Sequence, residues 1–346
     1  MWRPFRALPR YFGGKRKLCP VIFREIDQVF PRASWGNLTF VDAFLGGGAV
    51  SLFAKGQGFG RVVCNDLARR SAIVGEALIA NDHVRLTKED VLQLFREHPD
   101  NQHAIEQRYV PDLFSPEQAR FFDNALAVAR ASAHPEKQAL ALLVLLRLMI
   151  AVRPMSQFQP HEGRKAFGGD LDGVSPNRVA TYVEGLRLTG LSSVWDNAEA
   201  VNDGVLPGKG EVHQSDAAEF VAEVRGDVCY LDPPYAGTLA YEKAYRALDE
   251  IFEETQRPSS RFSLAGAVEA LDELLGLAWH FPLVVLSFGN EKTSGAQLGE
   301  LMAKHGRQIK VVEFEYRHMP SLASDEKNAR NRELLVLGWK ADEVGR

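Results

Sequence analysis

Between Thr39 and Asp66 the chain spells out one supersecondary unit, and that unit restricts the fold more than any other stretch. Thr39-Phe-Val-Asp-Ala43 is a short strand-like run that ends at the glycine cluster Gly46-Gly47-Gly48. Ala49-Val-Ser-Leu-Phe-Ala54 continues as a helix, and Arg61-Val-Val-Cys64 is a second strand ending at Asn65-Asp66. A helical stretch follows through about Ala80. Strand, glycine turn, helix, strand is the pattern of a doubly wound α/β layer, in which consecutive strands run parallel and helices cover the sheet.

The rest of the chain divides into a strand-free middle and a strand-rich end. From about Val84 to Pro207 no segment reads as a strand. Helical periodicity runs from Ser115 to Ala131, and a strongly apolar helix from Glu136 to about Val152 is stopped by Pro154. A Gly-, Pro- and charge-rich stretch follows from Gln157 to Pro176. A further helix is expected to be capped near Ser175, with Pro176 at its first position. Strands then return at Asp227–Leu231, Leu283–Ser287, Lys310–Phe314 and Glu333–Leu337, with a helix near Ser263–Leu277 between the first two. The last pair is joined by a polar connection and predicts an antiparallel hairpin that closes the sheet. The economical architecture is one Rossmann-like α/β sheet built from both ends of the chain, residues 1–84 and 208–346, with a helical insertion domain over residues 85–207.

Composition narrows the setting. The chain has 346 residues, 45% hydrophobic and 25% charged, with a formal net charge of −4, so overall charge does not mark a nucleic-acid binder. Local charge differs: Arg3, Arg6, Arg10, Lys15, Arg16, Lys17 and Arg24 fall in the first 24 residues with no acid among them. That stretch is either a solvated basic face or an electropositive rim for phosphates. Cys19, Cys64 and Cys229 are far apart with no CxxC pair, so neither a metal site nor a disulfide framework is expected. Buried thiols in a reducing cytoplasm are the default reading. The longest apolar run, Ala139 to Val152, is interrupted by Arg147 and is too short to span a bilayer. The basic N-terminus imitates a transit peptide, but its Gly-Gly-Lys suggests that it belongs to the folded protein.

Ligands of open α/β sheets bind beyond the carboxyl ends of the strands, and four such positions carry chemistry here. Asp42-Ala-Phe-Leu-Gly46-Gly47-Gly48 permits a tight turn and close backbone approach to a ligand. It is not a GxGxxG, and no GK[ST] follows. Asn65-Asp66 places an acid where ribose hydroxyls of an adenosine-bearing cofactor bind, or else caps the next helix. Ser215-Asp216 is placed to meet an adenine amino group, or else caps a helix starting at Ala217. The fourth, Leu231-Asp232-Pro233-Pro234-Tyr235, is the strongest. Its prolines fix φ and cannot extend a ladder, so Asp232 is held in a preset extended geometry. Asp232 and a proline carbonyl then form two acceptors, and an extruded adenine offers two donors on its amino nitrogen. Tyr235 offers a flat face for the base.

These motifs together resemble the Dam-type (class alpha) DNA adenine N6-methyltransferases, in which the cofactor motif comes first and the catalytic motif last. Arg10-Tyr11-Phe12-Gly13-Gly14-Lys15 resembles the family's aromatic-x-Gly-Gly-Lys motif. Asp42–Gly48 resembles its cofactor loop, Asn65-Asp66 its ribose acid, and Asp232–Tyr235 its catalytic motif. Ser287-Phe-Gly-Asn290 and Arg332–Leu337 stand where its later strands stand. The resemblance implies S-adenosyl-L-methionine as cofactor, double-stranded DNA as partner, no membrane, and a restriction or defence system as one possible setting. It implies cofactor contacts from Tyr11, Gly14, Lys15, Asp42, Phe44, Gly46, Gly48, Asp66, Asp216 and Asp232, and catalysis by Asp232, Pro233, Pro234 and Tyr235. Lys15 is expected to pair with the cofactor's carboxylate or with Asp232.

The middle departs from the family pattern. Arg153-Pro-Met-Ser-Gln157-Phe-Gln159, with Arg164-Lys165 beyond it, offers side chains able to read base edges. Arg153, Gln157, Gln159, Arg164 and Lys165 are therefore the expected DNA contacts, while the target sequence and the oligomeric state stay open. Two alternatives remain at this stage: methylation of RNA adenine or another amino group, and a catalytically silent DNA-binding module on the same fold.

Overall fold

The computed structural model describes residues 2–10, 14–153, 158, 184–234, 241–253, 262, 266–289, 294–315 and 332–341. The chain separates into two compact units that interleave along the sequence. A sheet unit comprises Gly13–Leu67, Gly208–Ala240 and Arg257–Arg346, and a helical unit comprises Met1–Phe12, Ala68–Pro207 and Tyr241–Gln256.

The sheet unit holds seven strands: β1 (Thr39–Asp42), β2 (Arg61–Asn65), β3 (Lys209–His213), β4 (Val228–Leu231), β5 (Leu283–Gly289), β6 (Gln308–Glu315) and β7 (Arg332–Trp339). Their spatial order is β3-β2-β1-β4-β5-β7-β6. The first five run parallel. β7 runs antiparallel to both β5 and β6, so the expected closing hairpin is present. The strand order reverses between β1 and β4. Chain leaving β1 goes to β2 on one side, and chain leaving β4 goes to β5 on the other. This leaves a crevice at the carboxyl ends of β1 and β4, the usual ligand position of such sheets.

Helices cover both faces because the central strands are apolar on both sides. On one face Phe40 of β1 meets Phe23 of α1 (Cys19–Asp27) with ring centroids 5.5 Å apart, and Phe53 of α2 (Ala49–Gln57) lies 5.0 Å from Phe23. Trp35 and Phe59 complete the cluster, stacked at 4.8 Å. On the other face Val41, Cys229, Leu231, Val284, Leu286, Leu334 and Val336 share one core with Phe220, Leu271, Leu274, Leu298 and Met302. Each large apolar side chain buried in this way stabilises the fold by roughly 1.5–3 kcal/mol, enough to fix which residue of each strand faces which layer.

The helical unit is built around one apolar rod. It contains α3 (Arg69–Gly75), α4 (Lys88–Gln93), α5 (Ala104–Tyr109), α6 (Pro116–Arg130), α7 (Pro135–Ala151), α8 (Leu191–Asn202), then, past β3 and β4, α10 (Tyr241–Phe252). α9 (Ala217–Glu223), α11 (Ala267–Leu277) and α12 (Gly295–Ala303) belong to the sheet unit. α7 buries every residue from Ala139 to Leu146 and from Leu148 to Ile150. Arg147 escapes the cost of burial by donating to the Leu8 carbonyl at 2.9 Å and to Asn197 Oδ1. α6 starts where the sequence places it: Ser115 Oγ accepts from the Gln118 N–H, and Gln118 Oε1 accepts from the Ser115 N–H. α10 joins this unit because Asp249 pairs with Arg70 of α3, whose guanidinium lies 4.8 Å over the Tyr245 ring. Compactness thus draws the line after Leu67, where the sequence pattern alone puts it after residue 84. The expected helix near Ser175 lies outside the described residues. Among the described residues no helix is long and apolar enough to cross a membrane.

Candidate active site

The carboxyl ends of β1 to β4 are tied to one another by the residues that follow them. β1 ends at Asp42, which is buried. Its Oδ2 accepts from Ser51 Oγ of α2 at 2.7 Å, and its Oδ1 accepts from the Phe44 N–H at 3.2 Å. The loop then turns through Gly46 at φ 51° and Gly48 at φ 79°. Both lie in the left-handed region, where a β-carbon is disfavoured, so glycine is required there. Gly48 is the N-cap of α2, whose leading N–H groups and positive dipole end point at the same place.

β2 supplies two residues with separate tasks. Asn65 is buried and clips three loops together. Its Nδ2 donates to the carbonyls of Ser215 (3.1 Å) and Ala43 (3.4 Å), and its Oδ1 accepts from the Ser215 N–H and Oγ at 3.0 Å each. Asp66 is half-buried, and its Oδ2 accepts from the Gly46 N–H at 2.8 Å. Asp66 does not cap the following helix, because α3 starts at Arg69 with Ala68 as its N-cap. Asp216, after β3, does cap α9: its Oδ1 accepts from the Ala218 N–H at 2.8 Å.

β4 ends at Leu231, and Asp232-Pro233-Pro234 follows without secondary structure. The Ala43 N–H donates to the Tyr230 carbonyl at 3.1 Å, which ties the end of β4 to the start of the glycine loop. Asp232 keeps 18% of its side chain exposed, and its Oδ1 lies 3.0 Å from Lys15 Nζ. Lys15 is itself buried, and its Nζ also lies 2.9 Å from Oε1 of Glu333. Ser287 Oγ of β5 donates to the same Glu333 oxygen at 2.8 Å. Burial alone would lower the Lys15 pKa, but the charges of Asp232 and Glu333 reverse that and hold it well above the ordinary lysine value. Asp42 shows the opposite balance. Removal from water raises its carboxyl from 3.8 to about 7, against the lowering effect of the hydrogen bonds from Ser51 and Phe44, and the charges of Asp232 and Asp66 raise it further.

A crevice lined by a left-handed glycine loop, a strand-end acid on that loop and an Asp-Pro-Pro turn tied to a buried lysine restricts the comparison with known proteins. The family described as D12 class N6 adenine-specific DNA methyltransferase matches residues 11–145. This chain resembles that family over this stretch. Over 338 residues it is 28% identical to the type II methyltransferase M2.HphI of Haemophilus parahaemolyticus, covering 94% of this chain and 96% of the relative. Over 334 residues it is 23% identical to the type II methyltransferase M.NlaIII of Neisseria lactamica, covering 92% and 94%. The chain is therefore an adenine-specific DNA methyltransferase on an α/β sheet.

The methyltransferase places its expected site residues unevenly. Gly14, Lys15, Asp42, Phe44, Gly46, Gly48, Asp66, Asp216, Asp232, Pro233 and Pro234 all fall in the sheet unit. Phe44 is half-buried, its ring edge-on to Phe262 with centroids 5.2 Å apart. Tyr11 and Tyr235 lie outside the described residues, as do Gln157, Gln159, Arg164 and Lys165. Arg153, expected to read DNA, is instead buried at 3% exposure, with Nη1 donating to the Leu113 carbonyl at 2.7 Å. It braces the end of α7 from within, because an arginine flanking an all-apolar helix end finds its acceptors in the adjoining loop. The basic N-terminus is also partly neutralised, since Arg3 and Arg6 both pair with Asp203.

Sequence reasoning missed Asn65 as a three-loop clip, Ser51 as the partner of Asp42, and the pair Glu333–Ser287. Glu333 carries a visible signal: it is a charged residue opening the apolar run Leu334–Leu337, which the sheet buries.

Proposed function

We propose that this enzyme binds S-adenosyl-L-methionine at the glycine-loop crevice and methylates an adenine extruded from duplex DNA, with Asp232 as the principal acceptor for the adenine amino group. The donor's residues fit what the fold leaves available. Gly46 and Gly48 allow the close backbone approach that a nucleoside cofactor needs, and the half-exposed Asp66 supplies an acid at the strand end where ribose hydroxyls bind. Phe44 provides an apolar wall. The bound donor would supply a methyl group already activated by its sulfonium, so the protein's task is alignment and charge placement.

The observation that carries the reading is the state of Asp232. It stands at the switch-point crevice, partly exposed, with its carboxylate oriented by Lys15 at 3.0 Å. A carboxylate so held is an acceptor that cannot rotate away. It takes one N–H of the adenine amino group, and the Pro233 carbonyl, which precedes a residue with no N–H, takes the other. With both hydrogens engaged, the nitrogen's lone pair leaves conjugation with the ring and is free to attack. The nitrogen would gain positive charge as the new C–N bond forms and the methyl–sulfur bond breaks to leave a neutral thioether, and the preplaced carboxylate would stabilise that charge. The same carboxylate accepts the proton that the nitrogen must shed. Extrusion of the base costs a few kcal/mol of stacking, which Tyr235 offsets by offering a ring face.

We assign reading of the target sequence to residues 85–207, where Gln157, Gln159, Arg164 and Lys165 carry groups suited to base edges and phosphates. Both relatives are type II methyltransferases by name, which favours a restriction endonuclease of shared specificity as functional partner. The test is to incubate the protein with labelled donor and duplex DNA, digest to nucleosides and identify the labelled one. The expected product is N6-methyldeoxyadenosine. Label on cytosine, or transfer only to RNA or single strands, contradicts the reading.

A further inference from the structure

The antiparallel direction of β7 has a chemical consequence. β4 and β5 end at the active-site rim, whereas β7 begins there, so the first residues of β7 are delivered to the crevice. Glu333 is opposite Gly289, the last residue of β5, in the β5–β7 register. It is 1% exposed, and one of its oxygens receives both Lys15 Nζ and Ser287 Oγ. A buried ion pair is a weak device for stability, since apolar replacements of similar volume are commonly neutral or better. Its neighbours Leu334 to Leu337 show that this strand otherwise buries only apolar side chains. A carboxylate at this position is better explained by what Lys15 does on its other side.

We propose that Glu333 is a positioning residue for methyl transfer, acting through Lys15 to set the direction and strength of Asp232 as an acceptor. This rests on the reading of Asp232 given above. Lys15 is held between two carboxylates, 2.9 Å from one and 3.0 Å from the other. With Glu333 present, the ammonium is shared, its position is fixed, and Asp232 keeps acceptor strength for the adenine amino group. Without that charge, Lys15 closes on Asp232 alone. The carboxylate is then both displaced and more fully neutralised by its partner. Misplacement on this scale is expected to cost turnover more than donor binding, because the proposed donor contacts centre on the glycine loop and on Asp66, which accepts from the Gly46 N–H at 2.8 Å.

The test uses the full-length enzyme with kinetics on duplex DNA. Glu333→Gln retains the shape and an oxygen for Ser287 but removes the charge. Its kcat is expected to fall roughly 10–100-fold, with KM for DNA and donor affinity by calorimetry within about twofold of the parent. The same change in a Lys15→Met background is expected to alter kcat by less than about twofold, because the path through Lys15 is already cut. Unchanged kcat in Glu333→Gln overturns the proposal. So does a loss of donor affinity or melting temperature that accounts for the rate, or a full-size drop in the Lys15→Met background. Should Glu333→Gln melt below the assay temperature, Ser287→Ala takes its place. It removes only the hydroxyl that steadies Glu333, and a kcat drop of about threefold or more with unchanged KM is expected, with no drop overturning the proposal. Asp232→Asn separates the two readings. If Asp232→Asn is inactive while Glu333→Gln is fully active, only the positioning role fails; if Asp232→Asn is fully active, the underlying reading fails.

Discussion

Asp42 and Asp232 end neighbouring parallel strands one place apart in the sheet, yet their surroundings give them opposite work. Asp42 is buried and fully spent on its own loop, through Ser51 and the Phe44 N–H. Its proton affinity is raised because removal from water outweighs those two hydrogen bonds, with the charges of Asp232 and Asp66 adding to the rise. Asp232 is partly exposed and leans on a cation. The first is a fastener for the glycine loop. The second, in the reading proposed above, is the acceptor for the adenine amino group. The difference teaches that a strand-end carboxylate in an α/β sheet has no fixed role. A hydroxyl from the next helix ties Asp42 into its loop, whereas a buried lysine and an open side leave Asp232 available to a ligand in the proposed reading.

The largest effect that sharpens this contrast is expected from Asp42→Ala. It leaves Ser51 Oγ and the Phe44 N–H without their acceptor in a dry site, each worth about 1–3 kcal/mol, partly offset by no longer burying a carboxylate. Calorimetry with S-adenosyl-L-methionine is expected to show affinity weakened by roughly tenfold or more, with a lowered melting temperature. Normal donor affinity in Asp42→Ala would break the contrast.

A smaller effect is expected from pH. The Asp42 carboxyl titrates at about 7 in the fold against 3.8 as an ordinary carboxyl. Between those values the folded protein binds the extra proton, so this group's contribution to stability is fully present below about pH 4. It is lost as pH rises towards 7, and flat above. Denaturant melts across that window are expected to show a falling component in the parent that Asp42→Asn lacks. An unchanged slope in Asp42→Asn would mean that Asp42 is solvated and not the fastener described.

Much of this was legible in the residues themselves. The strand–glycine–helix–strand unit, the strand-free middle and the final hairpin follow from periodicity and turn chemistry, which are local. Through the resemblance Lys15 was expected to pair with the cofactor's carboxylate or with Asp232, and it lies 3.0 Å from the latter. Three things were not legible. Arg153 looked like a DNA contact because its sequence neighbours are polar, while its burial depends on how the end of α7 meets the loop at Leu113. Asn65 looked like part of an acid motif, while its clip role depends on β3 lying beside β2, a pairing of residues some 150 apart. Glu333 reads only as the first residue of a strand, while its pairing with Lys15 depends on β7 running backwards between β5 and β6. Each miss comes from long-range topology, not from residue chemistry.

The most direct test of the account is Asp232→Ala, assayed for transfer of labelled methyl groups to duplex DNA alongside calorimetric donor binding. The account predicts a folded protein that binds donor within about threefold of the parent and transfers methyl roughly 100–1,000-fold more slowly. Near-normal transfer by Asp232→Ala would contradict it.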